Sequence, residues 1–198
     1  MKIAATINLA ASPLSVFRYR NFVLVWSSTT LVGMGTQMEA AVLGWFVLTL
    51  TDSPFLVGLI AAARMVLNFL ALFAGALADR LPRNLLLAAV EFIMAGLGAL
   101  MIILILTGLL EVWHIFGITM IMGMARIFQM PSAQSMIGDT LPPEKLSNGA
   151  AFTTVAMNIA MLGGPLIGGL LFKAYGPQGA YIIIASLYFC SGLFALTV

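Results

Sequence analysis

The chain has 198 residues, of which 62% are apolar and 8% are charged, and its formal net charge is +2. Soluble domains carry about 45–50% apolar and about 25% charged residues, so this composition excludes an ordinary soluble fold. The nine Lys and Arg residues are scattered, which argues against nucleic-acid binding. A single cysteine and a single histidine argue against a disulfide framework and a Cys/His metal site.

Apolar runs separated by turn signals divide the whole chain. A membrane-spanning helix needs about 20 apolar residues, so with its turns the chain has room for about six spans. We predict an all-α fold, a polytopic membrane helical bundle of six transmembrane helices that forms one domain over residues 1–198. The predicted spans, in chain order, are Asn21–Leu50, Phe55–Ala78, Leu85–Thr107, Trp113 to just before Asp139, Ala150–Phe172 and Ala180–Val198.

The positive charges predict the orientation of the bundle, because Lys and Arg concentrate in cytoplasmic loops. One side of the membrane receives most of them, and we expect the N-terminus to be cytoplasmic for that reason. That side carries Lys2, Arg18, Arg20, Arg80, Arg83 and Lys145, whereas Lys173 lies opposite.

A single shift of the sequence aligns the second predicted span with the fifth. It sets residues 72–77 (LFAGAL) against residues 166–171 (LIGGLL). Many secondary transporters contain inverted repeats of three spans. We therefore expect the six helices to form a three-plus-three inverted repeat.

Four ionisable residues lie inside apolar runs: Glu39, Arg64, Glu91 and Arg126. Each costs about 2.5–3.5 kcal/mol at the centre of a membrane helix on insertion scales, so we expect them to face the bundle interior or a hydrated cavity. Glu39 and Arg64 lie at similar distances from the turn at residues 51–52, at a depth of about 18 Å, and Arg126 lies at about 20 Å. Glu39 and Arg64 are therefore predicted to pair.

Two roles are open for the Glu39–Arg64 pair and for Glu91. The Glu39–Arg64 pair is either a structural ion pair or part of a proton or substrate pathway, which is the default expectation for intramembrane charge. Glu91 lies nearer the cytoplasmic end of its span. It is either part of the same pathway or a side chain that reaches to the interface.

The fifth predicted span contains the glycine-rich run 163–169 (GGPLIGG). Small residues allow two helix backbones to approach closely, and Pro165 leaves the carbonyl of Met161 without its helical donor. We expect a kinked span whose glycine face packs on another helix rather than on lipid.

Three motifs resemble the major facilitator superfamily. Residues 75–84 (GALADRLPRN) are similar to its signature loop G-x-L-A-D-R-x-G-R-[KR], with Pro82 and Asn84 as departures. Residues 164–169 (GPLIGG) are similar to the G-P-x-x-G-G of exporters that exchange substrate for protons. Residues 126–129 (RIFQ) resemble the R-x-x-Q of the fourth-span motif. Residues 17–22 and 43–54 resemble the branch of siderophore exporters and macrolide-type efflux permeases.

The resemblance implies roles for individual residues. Glu39 is expected to carry the proton, and Arg126 corresponds to the motif arginine that is linked in the family to proton transfer. The full set expected in the substrate and proton pathway is Glu39, Arg64, Arg126, Gln129, Glu91 and Asn158. The expected cytoplasmic latch loop comprises Gly75, Asp79, Arg80 and Arg83. The expected helix-packing and kink motif comprises Gly164, Pro165, Gly168 and Gly169.

The resemblance implies the N-terminal half of a proton-coupled exporter of small, largely apolar molecules, drug-like or siderophore-like, in a bacterial-type plasma (inner) membrane. A complete member has about twelve spans in two halves, and this sequence ends where the first half ends. We therefore expect the C-terminal half to be absent. The expected partners are the lipid bilayer, a small-molecule substrate, and a missing half, partner chain or second copy. No cofactor or metal is expected, and a proton gradient would supply the energy.

An alternative is a truncated gene fragment or a non-transporting membrane scaffold or regulatory subunit. An enzyme is the least supported class, since the sequence contains neither a G-x-x-x-x-G-K-[ST] phosphate loop nor an H-E-x-x-H metal helix.

Overall fold

The structure, a computed structural model, describes residues 13–68 and 82–198, and the side chains of these residues except those of 65–68. Every regular element in these ranges is helical. Four of the helices are long and apolar enough to cross a membrane, and a shorter apolar helix covers Pro54–Arg64. The prediction of an all-α membrane bundle is confirmed.

Five α-helices and two short 3-10 helices follow one another along the described chain. The 3-10 helices are Pro13–Arg18 and Pro143–Lys145. The α-helices are α1 (Arg20–Thr51), α2 (Pro54–Asn68), α3 (Arg83–Thr107), α4 (Val112–Thr140) and α5 (Leu146–Leu196).

Helix α5 consists of two segments joined at Gly176. Gly176 has φ 70° and ψ −175°, a non-helical backbone conformation that glycine adopts at little cost. Pro177 follows and is suited to the first position of a new helix. We refer to residues 146–175 as the first segment and residues 177–196 as the second segment. The predicted end of the fifth span at Phe172 is therefore too early, because residues 173–175 continue the helix.

The two segments of α5 run in opposite directions. Along the first segment, residues 160, 164 and 168 meet residues 33, 37 and 42 of α1, so the two helices are parallel. Along the second segment, residues 188 and 191 meet residues 35 and 28, so this pair is antiparallel. The chain therefore reverses at Gly176, as the two predicted spans require.

The remaining helices alternate in the same way. Residues 39 and 44 of α1 meet residues 64 and 57 of α2, which makes these helices antiparallel. Residues 92 and 98 of α3 meet residues 192 and 185 of the second segment, which are also antiparallel. This alternation of direction is what successive membrane crossings produce. The part of the second predicted span beyond Asn68 lies outside the described residues, and the inverted repeat and the orientation stay predictions.

Helices α1 and α3 each end in a tight turn at a residue with a left-handed backbone conformation. Asp52 has φ 50° and ψ 21°, and its backbone N–H donates to the carbonyl of Leu48 at 2.9 Å, which ends α1 before Pro54 begins α2. Gly108 has φ 68° and ends α3. Asp and Gly are among the residues that tolerate this conformation.

Helix α1 lies at the centre of the bundle, because it contacts α2, α4 and both segments of α5. Large apolar side chains also cover the outside of the bundle; Leu106 is 69% exposed and Leu162 is 80% exposed. Such a surface is suited to hydrocarbon rather than to water. The main apolar core includes Val32, Met38, Val42, Met94, Ile115 and Ile184.

Candidate proton and substrate site

Three helical segments each place one polar side chain around a buried carboxyl group on α1. Glu39 of α1 is 2% exposed. Around it lie Arg64 of α2, Arg126 of α4 and Tyr188 of the second segment of α5. We call these four residues the Glu39 cluster.

Both oxygens of the Glu39 carboxylate have partners. Oε1 lies 3.6 Å from Nη1 of Arg64, which makes an ion pair. Oε2 accepts a hydrogen bond from Nη2 of Arg126 and another from the hydroxyl of Tyr188 at 2.9 Å. The Tyr188 oxygen in turn accepts from Nη2 of Arg126 at 3.1 Å. The phenol therefore bridges the carboxylate and one of its two cations.

A glycine one turn before Glu39 admits the aromatic ring. A Cβ atom added at Gly35 would lie 2.8 Å from Cε1 of Tyr188, which is shorter than real Cβ contacts. The ring of Tyr188 therefore lies directly on the backbone of α1, and its hydroxyl reaches the carboxylate. Gly35 is thus a positioning residue for the Glu39 cluster.

The Glu39 cluster contains one carboxylate and two guanidinium groups, so it carries an excess of positive charge. A buried charge is tolerated only when it is paired and hydrogen-bonded. Glu39 meets that condition, whereas Nε of Arg126 is buried without a hydrogen-bond partner among the described residues. Arg64 and Arg126 are 19% and 16% exposed. The two guanidinium groups therefore stabilise the ionised form of Glu39, and its negative charge in turn holds both arginines.

A groove of about 310 Å³ lies between α1 and α2 next to this cluster. Arg64 is its single charged lining residue, and the other lining residues are small or apolar. They are Ala40, Leu43, Gly44, Val47, Val57, Ile60 and Ala61. A groove of this kind can hold an apolar group beside a cation.

The predicted proximity of Glu39 and Arg64 is confirmed, and the structure adds Arg126 to the pair. Gln129 lies partly buried on α4, one turn beyond Arg126. Asn158 is exposed on the first segment of α5, between Ala156 and Ala160, which are buried. Asn158 is two positions along the sequence from each of these alanines, so it lies on the opposite side of the helix from them. The structure therefore does not bring Asn158 to the Glu39 cluster.

Glu91 of α3 is 0% exposed, so the alternative that its side chain reaches to the interface is wrong. The hydroxyl oxygen of Ser28 lies at hydrogen-bond distance from Glu91, 2.9 Å from Oε1 and 3.2 Å from Oε2. Ser28 precedes Glu39 by about three turns of α1, which is about 16 Å along the axis. The structure therefore places Glu91 in a separate polar site and not in the Glu39 cluster.

One residue of the predicted latch lies in the described part of the chain. Arg83 donates from Nη1 to Oδ2 of Asp139 at 2.7 Å, and the two side chains are 42% and 67% exposed. The pair joins the start of α3 to the end of α4. Gly75, Asp79 and Arg80 lie outside the described residues. Asp139 was not predicted as a site residue, because the sequence marks it only as the end of an apolar run.

The predicted glycine face packs on α1 through two of its members. A Cβ atom at Gly164 would lie 2.5 Å from Cβ of Gln37, and one at Gly168 would lie 3.0 Å from the carbonyl oxygen of Met38. A Cβ atom at Gly169 would meet nothing within 4 Å, so Gly169 lies off this contact. Pro165 is exposed, and among the residues of α5 the non-helical backbone is at Gly176 rather than at Pro165.

Tyr188 is the site residue that the sequence analysis missed. Acidic and basic side chains are conspicuous inside an apolar run, whereas a tyrosine there resembles an ordinary core residue. Tyr188 lies in the middle of the last predicted span rather than at its end, where interfacial tyrosines concentrate. This central position is the sequence feature that distinguishes Tyr188 from an interfacial tyrosine.

Comparison with known proteins assigns the chain to a family. Residues 11–198 match the family described as transmembrane secretion effector, a branch of the major facilitator superfamily. The chain is 26% identical over 182 residues to an MFS-type transporter of Bacillus subtilis, YkuC, with 91% of this chain and 42% of that protein covered. It is 28% identical over 190 residues to the multidrug resistance protein MdtG of Yersinia enterocolitica, with 91% and 44% covered.

A second MdtG protein, from Rahnella, is 32% identical over 121 residues, which cover 59% of this chain and 27% of that protein. The chain thus spans less than half the length of the curated relatives that it matches. These relatives are named as transporters and drug-resistance proteins, not as enzymes. The chain belongs to the transmembrane secretion effector family of the major facilitator superfamily, a family of multi-pass integral membrane transporters.

Proposed function

We propose that the chain is half of a proton-coupled exporter of small, largely apolar molecules. The observation that carries the proposal is the Glu39 cluster, in which one buried carboxylate is held between cations from two other helices. The names of the MdtG relatives support efflux of drug-like compounds. The relatives are bacterial, which supports a bacterial plasma membrane as the location.

In this proposal Glu39 carries the proton. A proton on Glu39 removes the negative charge that Arg64 and Arg126 share, and the ion pairs between α1, α2 and α4 weaken. The ion pairs hold these helices together while Glu39 is ionised and release them when Glu39 is protonated. This change biases the bundle between inward-open and outward-open states. Arg126 modulates the exchange, because it contacts both the carboxylate and the hydroxyl of Tyr188.

The groove between α1 and α2 is proposed to hold an apolar part of the substrate. Its walls are apolar, and it lies beside Arg64, which responds to the charge of Glu39. Substrate and proton would then act on the same ion pair. Alternating access in this superfamily requires a second six-span bundle that rocks against the first. We propose that a second half, a partner chain or a second copy supplies it, and that the segment 79–83 acts as a latch against it.

Dye transport in everted membrane vesicles from cells that express the chain tests this proposal. An imposed pH gradient should drive uptake of ethidium into vesicles that contain the wild-type chain. Glu39→Gln, which is isosteric but cannot ionise, should abolish this gradient-driven transport. Glu144→Gln is the matched control, because Glu144 is exposed in the connection between α4 and α5. Wild-type activity in Glu39→Gln would contradict the proton role, and absence of transport in all variants even when a second half is co-expressed would favour the scaffold alternative.

A further inference from the structure

We propose that Glu91 holds a proton, so that Ser28, Glu91 and Ser191 form a proton-binding site separate from the Glu39 cluster. We call these three residues the Glu91 site. They belong to α1, α3 and the second segment of α5, and the site therefore lies where three helices meet.

The surroundings of Glu91 do not compensate a negative charge. Ser28, Glu91 and Ser191 are each 0% exposed, so water and any additional protein half are excluded from them. The ion pairs formed by the described residues involve Glu39 and Asp139, and Glu91 takes part in none of them. An isolated buried carboxylate carries a large desolvation cost, which protonation removes.

The charged groups of the surrounding helices are committed elsewhere or are remote. On α1 the flanking charges are Arg20, which is exposed, and Glu39. On α3, Arg83 pairs with Asp139 of α4, and Arg126 of α4 pairs with Glu39. The second segment of α5 contains no Asp, Glu, Lys, Arg or His between residues 177 and 196. Its tyrosine nearest in sequence to Ser191 is Tyr188, whose hydroxyl donates to Glu39.

The hydrogen-bond donors of the Glu91 site are too few when Glu91 is ionised. Three contacts form a chain: Glu91 Oε1 to Ser28 Oγ at 2.9 Å, Ser28 Oγ to Ser191 Oγ at 3.1 Å, and Ser191 Oγ to the carbonyl oxygen of Ser28 at 2.8 Å. Three contacts need three protons. Each serine supplies one. With Glu91 ionised, the chain has two protons and one contact lacks its own donor.

With a proton on Glu91, each of these three contacts has its own donor, while the longer approach of Ser28 Oγ to Oε2 at 3.2 Å involves the same carboxyl group. Glu91 donates to Ser28, Ser28 donates to Ser191, and Ser191 donates to the backbone carbonyl of Ser28. The proton therefore completes a continuous chain from α3 through α1 to the second segment and back to α1. The neutral acid joins three helices without introducing a charge, and it remains in place while Glu39 exchanges its proton.

Infrared spectroscopy of the detergent-solubilised full chain tests the protonation directly. The wild-type chain at neutral pH should show the C=O stretching band of a neutral carboxylic acid, and Glu91→Gln should lack it. Glu144→Gln should keep the band. If Glu91→Gln does not fold, [¹³C]glutamate labelling of the E39Q/E111Q/E144Q chain leaves Glu91 as the one glutamate, and the band should shift with the label. Absence of a neutral-acid band in the wild-type chain would overturn the proposal.

Thermal unfolding at several pH values provides a second readout. At neutral pH Glu91→Gln should unfold at the same temperature as the wild type or at a higher one, because the amide keeps the shape and the donor and takes up no proton on folding. At about pH 9 the wild type should lose stability, since its site must give up the proton, whereas Glu91→Gln should not. Ser28→Ala should lower the unfolding temperature, and the exposed Ser186→Ala is its matched control. A Glu91→Gln chain as unstable as Glu91→Ala would contradict a neutral acid at this position.

Discussion

The neutral phenol of Tyr188 orients the charged groups of the Glu39 cluster. Its hydroxyl donates to Glu39 and accepts from Arg126, so one neutral group orients both members of a charged pair. Hydrogen bonds to charged groups contribute about 1.5–3 kcal/mol. The arrangement therefore depends on an oxygen atom supplied by the last predicted span.

Tyr188→Phe should lower the free energy of unfolding by about 1.5–3 kcal/mol, because the ring still fills its place on Gly35 while both hydrogen bonds are lost. Denaturant unfolding of the chain in detergent measures this change. Tyr175→Phe is the control, since Tyr175 is 67% exposed at the end of the first segment. Equal stabilities of Tyr188→Phe and Tyr175→Phe would show that the hydroxyl contributes nothing to the cluster.

The two arginines of the Glu39 cluster should differ in their effect on stability. Arg126 hydrogen-bonds to Glu39 and Tyr188, whereas Arg64 approaches Glu39 only to 3.6 Å. Removing one partner of a buried ion pair costs about 3–5 kcal/mol when the pair is tightly bonded. Arg126→Met should approach that loss, and Arg64→Met should lose clearly less. Unfolding of the two variants under identical conditions makes the comparison, and a larger loss in Arg64→Met would contradict the geometry.

Sequence reasoning located part of this site. The common depth of Glu39 and Arg64 is predictable from the sequence, because a tight turn fixes the relative depth of two neighbouring helices. Depth alone says nothing about the rotation of a side chain around its helix. For that reason Glu91 and Asn158, which the resemblance placed in the same pathway, lie on other faces. Their positions depend on which faces pack together, and distant parts of the chain determine this.

At the scale of helices, small residues set the distance between α1 and the first segment of α5. Ala156, Ala160, Gly164 and Gly168 recur at every fourth position and are all buried. Such a stripe allows two backbones to approach closely in a membrane, where apolar burial alone gives no driving force between helices. The glycine run in the sequence predicted this contact, whereas its exact register required the structure.

Gly164→Ala and Gly168→Ala should each destabilise the chain by about 1–3 kcal/mol, because the added Cβ meets α1 backbone or Cβ atoms rather than flexible side-chain ends. Gly169→Ala is the matched control, since a Cβ atom there has open space. Thermal unfolding of the three variants gives the ranking. A Gly164→Ala chain as stable as Gly169→Ala would show that the helices are not in close contact at this point.

The Arg83–Asp139 pair links the ends of α3 and α4 at the surface of the bundle. Both side chains are substantially exposed, so solvent screens their attraction, and such pairs contribute about 0.2–1 kcal/mol. A double-mutant cycle with Arg83→Gln and Asp139→Asn should give a coupling energy in that range, and high salt should reduce it. A coupling energy well above this range would indicate that the pair is buried in the working protein, for example beneath another bundle.

At the scale of the whole molecule, the proposed exporter needs more than this chain, which would supply the Glu39 cluster and one wall of the pathway. Its relatives are more than twice as long, and alternating access requires two bundles that move about a shared site. A lone bundle would leave the groove beside Arg64 open to lipid, and each unsatisfied polar group facing hydrocarbon costs several kcal/mol. Association with a second bundle removes this cost, and a symmetric dimer would use the same face of both copies.

We therefore expect transport only from assemblies that contain at least two such bundles. The purified chain should be separated by size in detergent, and the mass of each fraction should be measured by light scattering. Each fraction is then reconstituted into proteoliposomes, and transport is measured under an imposed pH gradient. Activity should follow the fractions that contain two copies, or appear only when a second half or partner chain is added. Glu39→Gln should abolish that activity without changing the distribution of masses, because Glu39 is 2% exposed and does not form the outer surface. Proton-driven transport by a fraction of strictly monomeric mass would contradict the two-bundle mechanism, since one bundle cannot close both ends of a pathway in turn.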